Sequence, residues 1–389
     1  MRLPLYYNWR NLLARKLSTC LTFAIVAVVV FVLALLLSFV AGIRAALVAT
    51  GSPQNLIVLK SGATAEATSL LTYEEAARLV QTPGVALDPA GFPLVSQELS
   101  VQTLIDRRSN GSPANVAVRG VDDVAFAVHP EVRLIAGRRV ETGSPEVLVG
   151  RAAQQRYAGL DVGCQLRLGR KSDRRYTVVG VFEAGGGALE SELWAPRTMI
   201  SDAYGRRLLS SVALRLTSAD AAPAALAYIH GPSVQLDGRT ELRYYEDLAA
   251  KTREIVTLTT ALVGLMAVGA AFAVMNTLYA AVDGRRREIA MLRAIGFGRR
   301  AIMLALLVES WLLCTAACVC GLVASAFFHG ARQDYLSETT WTVLAYELRV
   351  TPQIALAAVV LATLVGVAGA LLPAARAARI NVLQALRKA

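Results

Sequence analysis

Four long stretches without charge, or nearly so, divide the chain, one near its start and three near its end. Leu17 to Ile43, Ile255 to Val282 and Val350 to Ala375 contain no charged residue, and Ala301 to Phe328 contains only Glu309. Each is longer than the ~20 apolar residues with which an α-helix crosses about 30 Å of hydrocarbon. The pattern therefore predicts four transmembrane helices in a one-plus-three arrangement.

The segment between the first two spans has the turn spacing of a soluble α+β domain. NLIVLK resembles a strand, and Thr72 then opens a helical run with Glu75 three residues later, the pattern of a capping box. Short β-rich runs separated by Gly, Pro and Asp turns follow over about 114–204. SVALRL, a helix near Ala221 to Ile229 and the strand-like SVQLD return to the first pattern. We expect two subdomains, the second inserted in the first.

Lysine and arginine bias predicts the orientation of the spans. Met1 to Lys16, Asp283 to Arg300 and the tail from Arg376 each carry net +4, which accounts for the basic character of a chain of net charge +11. Positively charged flanks stay on the cytoplasmic side of a membrane. Both termini and the 283–300 loop are therefore predicted to be cytoplasmic, and the charge is poor evidence for nucleic-acid binding.

The predicted fold is an α-helical membrane protein with four transmembrane helices and a large two-subdomain α+β domain outside the membrane. Its parts are an interfacial helix (1–16), the first span (17–43), the extracytoplasmic domain (44–254), the second span (255–282), a cytoplasmic loop (283–300), the third span (301–328), an extracytoplasmic loop (329–349), the fourth span (350–375) and a cytoplasmic tail (376–389). Residues 1–16 are alternatively a plain extension of the first span. A charged helical run, Arg243 to Arg253, leads directly into the second span.

A cleaved signal peptide is the alternative interpretation of the first span. Signal h-regions run roughly 7 to 15 residues, and this apolar run is far longer, so an uncleaved anchor is favoured. The cysteines predict no disulfide framework, because Cys164 alone falls in the large external segment. No His or Cys stands at metal-ligand spacing. The run Gly169 to Ser172 lacks the spacing of a phosphate loop and reads as a hairpin turn.

The cytoplasmic loop has the pattern of a short amphipathic helix. Ile289, Leu292 and Ile295 lie three residues apart on one face, while Glu288 and the arginines face elsewhere. Gly296 and Gly298 suit a helix C-terminus that needs a left-handed backbone. Such a helix suits docking in a groove of a cytoplasmic partner. Positive-inside anchoring alone explains the arginines but leaves the apolar stripe without a role.

These motifs, in their order and spacing, resemble the FtsX-like permease family and its MacB-like four-span branch. The resemblance is carried by Met275-Asn276 late in the second span, REIAMLRAIG in the loop, Glu309-Ser310 in the third span and the closing LPAARAARINVLQALR. The GGGALESELWAP run of the external domain is also similar to permeases of this branch. The resemblance covers essentially the whole chain.

The resemblance implies a permease subunit of an ABC transporter in the bacterial inner membrane. It implies a homodimer or a pair of related permeases, two copies of a separate cytoplasmic ATPase that binds ATP and Mg²⁺, and a periplasmic adaptor as a further candidate partner. No cofactor is expected in this chain and no catalytic motif is visible. The residues expected to couple to the ATPase are Arg286, Arg287, Glu288, Ile289, Leu292, Arg293 and Gly296.

Three features outside the loop have two interpretations each. Glu309 is expected to make a structural hydrogen bond to a polar partner such as Asn276, the alternative being transport chemistry. Gly185, Gly186 and Gly187 form either a functional external loop or a plain turn. Small residues including Gly264 and Gly269 make the second span a candidate dimer contact.

Two further functions compete with the exporter. One is an FtsX-like transducer that activates an envelope protein without transport, and the other is a membrane-anchored enzyme, for which no catalytic constellation is visible. Within the resemblance, the size of the external domain favours the exporter over the transducer.

Overall fold

The computed structural model describes residues 16–170, 174–250, 253–336 and 343–380. The predicted interfacial helix, except for its last residue, and most of the predicted tail lie outside these residues. The described chain forms two compact units. A helical unit comprises residues up to Gly42, Arg253–Ala331 and the chain from Leu348 onward, and a sheet-rich unit comprises Ile43–Thr252 and Arg332–Glu347.

Four helices of the described residues are long and apolar enough to cross a membrane. They are α1 (Lys16–Val48), α8 (Arg253–Gly284), α10 (Arg299–Ala326) and α11 (Pro352–Ala378). The prediction of four such helices, one ahead of the soluble domain and three after it, is confirmed. At one end or at both, each helix extends beyond the uncharged run that predicted it. Charged residues are compatible with helical backbone, so the first charged residue does not mark the end of a helix.

Small residues let these four helices pack closely within the helical unit. A side chain on Gly321 of α10 would meet the Ala27 carbonyl oxygen of α1 at 2.6 Å, and one on Gly369 of α11 would meet the Ala271 carbonyl oxygen of α8 at 2.7 Å. Ser310 donates to the Gly366 carbonyl at 2.8 Å. Close backbone approach of this kind replaces the hydrophobic driving force that is absent between helices in lipid.

The sheet-rich unit contains a ten-stranded mixed sheet. Its strands are β1 (Asn55–Leu59), β2 (Val95–Asp106), β3 (Pro113–Val121), β4 (Arg133–Gly137), β5 (Glu146–Gly150), β6 (Gln165–Leu168), β7 (Arg174–Glu183), β8 (Leu193–Pro196), β9 (Ser211–Arg215) and β10 (Asp237–Thr240). Their order is β10-β1-β9-β2-β3-β8-β5-β7-β4, with β6 beside β7. Strands β3 to β8 are contiguous in the sheet, beyond the β1, β2, β9 and β10 group, and their hydrophobic core also includes Leu99 and Val101 of β2.

Short helices cover the sheet. They are α2 (Tyr73–Leu79), α3 (Ala125–Val128), α4 (Arg151–Arg156), α5 (Arg197–Tyr204), α6 (Ala222–His230) and α7 (Glu241–Ala250), with 3₁₀ turns at Glu66–Thr68, Ala188–Ser191 and Ala219–Ala221. The predicted capping box of α2 is present: the Thr72 hydroxyl accepts from the Glu75 N–H at 3.2 Å, and the Glu75 carboxylate accepts from the Thr72 N–H at 3.0 Å.

One local prediction is wrong, one loop contains strands that were not predicted, and one prediction falls partly outside the described residues. SVQLD is not a strand, because Gln235 has a left-handed backbone (φ 58°) and β10 begins only at Asp237. Its alternation reflects burial of Val234 and Leu236 in the core beside β1. The predicted loop 329–349 contains a hairpin of β11 (Arg332–Leu336) and β12 (Val343–Glu347). Lys251 and Thr252, on which continuity between α7 and α8 depends, lie outside the described residues.

The hairpin predicted around Gly169 is confirmed by the pairing of its two strands. Leu168 of β6 stands opposite Arg174 of β7 in an antiparallel ladder, and Gly169 has φ +114°. The run that resembles the end of a phosphate loop is therefore a strand connection, of which Lys171 and Ser172 lie outside the described residues.

Candidate functional site

The connection between α8 and α10 contains the predicted amphipathic helix. This helix, α9, spans Arg286–Ala294. Gly296 follows it with φ +107°, as expected for a residue that reverses the chain after a helix. Gly298 does not share that role: its φ is −68° and it precedes the first turn of α10. The helix is thus stopped by one glycine, and the second begins the next helix.

The apolar stripe predicted on α9 divides between two environments. Ile289 is buried in a cluster with Val282, Ile302, Leu306, Ala374 and Ala377, so it attaches α9 to its own chain. Leu292 is half-buried, whereas Ile295 is 71 % exposed. Met291, which the stripe did not include, lies one turn before Ile295 and is 50 % exposed. The apolar surface that α9 leaves open is therefore Met291 and Ile295, four residues apart on one face.

The charged residues of the connection form ion pairs within the chain. Arg286 lies 2.8 Å from Asp283, and Arg285 lies 3.6 Å from Glu288. Arg293 donates to the Ile380 carbonyl, which ties the last turn of α9 to the chain beyond α11. Arg287 and Glu288 are exposed. These contacts hold the orientation of α9 while leaving its outer charges accessible.

Glu309 has a different partner from the one expected. Arg285 reaches its carboxylate at 3.4 Å, whereas Asn276 is exposed on α8. Because Arg285 also contacts Glu288, a single guanidinium connects the start of α9 to the interior of α10. Sequence reasoning placed Arg285 among the positive-inside charges and did not assign it this role. The sequence did offer a signal for this role, because Arg285 lies one residue before the predicted helix and the third span contains a single acid that needs a cationic partner.

The three-glycine segment is a tied turn in the sheet-rich unit. Gly185 and Gly186 have φ of +60° and +76°, and the Glu190 carboxylate accepts from the N–H groups of Ala184 and Gly186, each at 2.8 Å. The Thr50 hydroxyl accepts from the Ala188 N–H at 2.6 Å. Glu190 lies in the 3₁₀ turn Ala188–Ser191. The segment therefore connects the chain just beyond α1 with the approach to β8.

A buried cluster of charged side chains lies in the same unit, and the sequence analysis did not find it. Arg119 of β3 is 4 % exposed and contacts three carboxylates: Glu66 at 2.7 Å, Glu98 at 2.6 Å and Glu192 at 2.7 Å. The Ser211 hydroxyl donates to Glu66 at 2.6 Å. Four separate elements of the unit meet at one guanidinium, whose planar fork suits several carboxylates at once.

His129 links this cluster to the start of α7. Its ring nitrogens lie 3.2 Å from Glu98, 3.3 Å from Glu131 and 3.7 Å from Glu241, the first residue of α7. The Glu241 carboxylate also accepts from the Ser52 N–H at 3.0 Å. We call the seven residues Glu66, Glu98, Arg119, His129, Glu131, Glu192 and Glu241 the buried charge cluster.

The cluster shifts the pKa values of its members in opposite directions. Burial alone would raise the pKa of Glu98, but Arg119 and His129 outweigh it and lower that pKa to about 2. Burial would lower the pKa of His129, yet hydrogen bonds to Glu131 and Glu98 hold it well above its ordinary value. Burial raises the pKa of Glu241 to about 7, because His129 offsets it only in part. Protonated His129 and ionised Glu98 thus form an ion pair at neutral pH.

A single charged residue in an apolar strand is the signal that was available. Arg119 interrupts NVAVRGV, whereas Glu98 is one of several polar residues in its strand and gives no such signal. A charged residue at a buried strand position requires a partner. Its partners come from distant elements, so pattern reasoning does not identify them. Among the described residues, no group of three or more His, Cys, Asp and Glu side chains is arranged to hold a metal ion.

Comparison with known proteins identifies the family. The model of the MacB-like periplasmic core domain matches residues 19–231, and that of the FtsX-like permease C-terminal domain matches residues 260–382. The chain therefore belongs to the MacB-like, FtsX-like family of ABC transporter permeases. Four apolar helices and this membership make it a multi-pass membrane protein whose sheet-rich domain lies between the first helix and the rest.

Individual relatives match over parts of their length. The chain is 27 % identical to the uncharacterized ABC transporter permease YknZ of Bacillus subtilis over 54 % of this chain and 53 % of that protein. It is 29 % identical to the macrolide export ATP-binding/permease protein MacB of Bordetella avium over 52 % of this chain and 31 % of that protein. The chain thus spans about half of the first relative and a third of the second.

Among solved structures, the extracellular domain of the noncanonic ABC-type transporter YknZ from Gram-positive bacteria is similar. It has 18 % identity, covers 44 % of this chain and 87 % of its own, and gives a TM-score of 0.32.

Proposed function

We propose that the protein is the permease subunit of an ABC transporter that couples ATP hydrolysis by a separate cytoplasmic ATPase to conformational work of its sheet-rich domain. The observation that carries this proposal is α9, a short helix attached to its own chain through Ile289 that leaves Met291 and Ile295 exposed. An exposed apolar pair on an anchored helix suits a partner's groove. The work serves export or extrusion of an envelope substrate.

The orientation we propose places α9 and both termini in the cytoplasm and the sheet-rich domain outside, in the inner membrane of a bacterium. It rests on the arginine and lysine excess of the short flanks. We propose the same domain boundaries as in the sequence analysis, with cytoplasmic and extracytoplasmic segments assigned by this orientation.

The proposed assembly contains two permease copies, two ATPase copies and, as a candidate, a periplasmic adaptor. Gly264 and Gly269 of α8 support a second permease copy, because within the described part of the chain no atom of another segment lies within 4 Å of a Cβ built at either glycine. Small residues that remain open on a membrane helix permit another helix to approach closely. ATP and Mg²⁺ would be bound by the ATPase and not by this chain.

Cysteine labelling in intact cells tests the orientation. In a variant without native cysteines, we expect Asp220→Cys to react with a membrane-impermeant maleimide and Ala294→Cys to react only after the membrane is opened. Both positions are exposed, so a difference in labelling reports the side of the membrane. The reverse pattern would overturn the proposed topology and, with it, α9 as the ATPase contact.

Reconstitution with the ATPase tests the function. We expect the purified permease to show no ATP hydrolysis alone, to co-purify with its cognate ATPase, and to change the hydrolysis rate of that ATPase in lipid. Absence of co-purification would contradict the permease proposal. Hydrolysis that drives no movement of any envelope substrate but activates an envelope enzyme would instead support the transducer.

A further inference from the structure

Glu241 joins two segments that are far apart in the chain. It is the first residue of α7, the helix that precedes α8, and it is only 4 % exposed. Its carboxylate accepts from the N–H of Ser52, four residues after the end of α1. One buried carboxyl group therefore contacts the chain that leaves α1 and begins the helix ahead of α8.

The buried charge cluster has more acids than bases. Five carboxyl groups face one guanidinium and one imidazole. Like charges in a desolvated site cannot all ionise, so at least one carboxyl group retains a proton where an exposed one would not.

Glu241 is the member with the weakest compensation. Arg119 reaches Glu66, Glu98 and Glu192 within 2.7 Å, and the Glu131 side chain is partly exposed to solvent. Besides the Ser52 N–H, the cationic group that reaches Glu241 among the described residues is His129, at 3.7 Å, and His129 is shared with two other acids. Geometry alone thus selects Glu241 as the carboxyl group that holds the proton.

We propose that Glu241 is a proton-controlled latch, closed when protonated, by which the sheet-rich domain holds the segment that leaves α1 and the helix that precedes α8. The inference rests on the proposed function for its purpose, because these segments continue into the membrane helices that would transmit ATP-driven motion. Glu241 acts through the groups it holds and is a positioning residue.

The pH dependence of Glu241 depends on the titratable and polar groups that surround it. They are His129 and Glu131 from the chain after α3, the Ser52 N–H, the neutral side chain of Asn55 at the start of β1, and Tyr245 of α7, with Glu66, Glu98, Arg119 and Glu192 beyond them. Tyr245 stays neutral, because burial raises its pKa well above the ordinary value.

The sign follows from the folded and unfolded pKa values. The pKa of Glu241 is raised in the folded chain from 4.5 to about 7, so its contribution to stability is complete below pH 4.5 and is lost as pH rises through about 7. His129, whose folded pKa is also raised, changes stability in the same direction. Glu98 has a lowered pKa and acts oppositely, but its contribution is lost only as pH falls from 4.5 toward about 2.

The test is a titration of the full-length protein in lipid nanodiscs between roughly pH 5 and 8.5, the range that spans the Glu241 transition. Two readouts are followed: the infrared C=O band of protonated carboxyl groups and the unfolding temperature of the sheet-rich domain. We expect a protonated-carboxyl band that disappears with a midpoint near neutral pH, and an unfolding temperature that falls over the same interval.

Three variants assign the titration. Glu241→Gln keeps an acceptor for Ser52 but cannot ionise, so we expect the band to be lost and the pH dependence of unfolding to decrease. Glu241→Asp restores an ionisable group and should restore both. Glu246→Gln, on the same helix but partly exposed and paired only across the surface with Arg243, should behave as the wild type.

A band that persists in Glu241→Gln, or that titrates in the ordinary carboxyl range, would overturn the latch. So would a pH dependence of unfolding that is equal in Glu241→Gln and the wild type. Neither readout involves an ATPase, so failure of the latch leaves the proposed coupling untouched, and failure of the coupling leaves the titration standing.

Discussion

Replacement of Arg119 with methionine is expected to lower the free energy of unfolding of the sheet-rich domain by about 3–5 kcal/mol. Methionine fills much of the same space but removes the cation that contacts Glu66, Glu98 and Glu192, so that Glu98 keeps only His129 as a cationic partner. Removal of one partner from a buried ion pair is strongly destabilising because the remaining charge stays desolvated. The measurement is thermal unfolding of the full-length protein, with an expected decrease of roughly 6–20 °C.

The matched control is Arg151→Met. Arg151 pairs with Glu183 at 3.3 Å, with both side chains well exposed, so its loss should change stability by no more than about 1 kcal/mol. A second signature is pH dependence: the defect of Arg119→Met should shrink under acid conditions, where the orphaned carboxylates take up protons. Equal shifts for the two variants, or a defect independent of pH, would mean that the cluster contributes packing rather than charge compensation.

Arg119 also illustrates what sequence reasoning does not reach. The four apolar helices and the capping box at Thr72 were predictable because each depends on residues close in the chain. The buried charge cluster gathers residues from Glu66 to Glu241, and no local pattern records which acid meets which base. A charged residue in an apolar strand indicates that a partner exists, while the fold alone decides its identity.

Local patterns also gave a wrong prediction where buried and exposed residues alternate but the backbone is not extended. SVQLD alternates as a strand does, yet Gln235 adopts a left-handed backbone and the alternation reflects packing of its two apolar neighbours. Asn276 was a reasonable partner for Glu309 on proximity in the spans, but Arg285 has the charge that a buried carboxylate requires.

The sequence predicted that α9 has an apolar stripe, but it did not show which residues of the stripe are exposed. Its three residues were placed on one face by helical spacing, and the structure shows that Ile289 is used for attachment to the chain itself. A stripe read from sequence cannot distinguish an internal contact from an external one, since both require burial. The distinction matters for the coupling experiment, because a variant at Ile289 would disturb folding and docking together.

Aspartate at Met291 or Ile295 is expected to weaken ATPase binding by roughly 10- to 100-fold each while leaving the permease folded. Full burial of such a side chain stabilises a contact by about 1.5–3 kcal/mol, and each 1.4 kcal/mol changes a dissociation constant tenfold. Both side chains are exposed in the isolated chain, so their replacement removes no internal contact of that size. Binding is measured by titration of the purified ATPase onto permease in nanodiscs, with hydrolysis rates in parallel.

Two comparisons make this result specific to α9. Leu104→Asp introduces the same charge at a residue that is 68 % exposed in the sheet-rich domain, and it should leave ATPase binding unchanged. Glu288→Lys reverses an exposed charge beside the apolar pair and should weaken binding, because complementary charges select one groove over another. Loss of its partly exposed pair with Arg285 should lower stability by no more than about 1 kcal/mol. If Met291→Asp, Ile295→Asp and Glu288→Lys all bind the ATPase as the wild type does, α9 serves only to anchor the topology, and the ATPase contact must lie elsewhere on the chain.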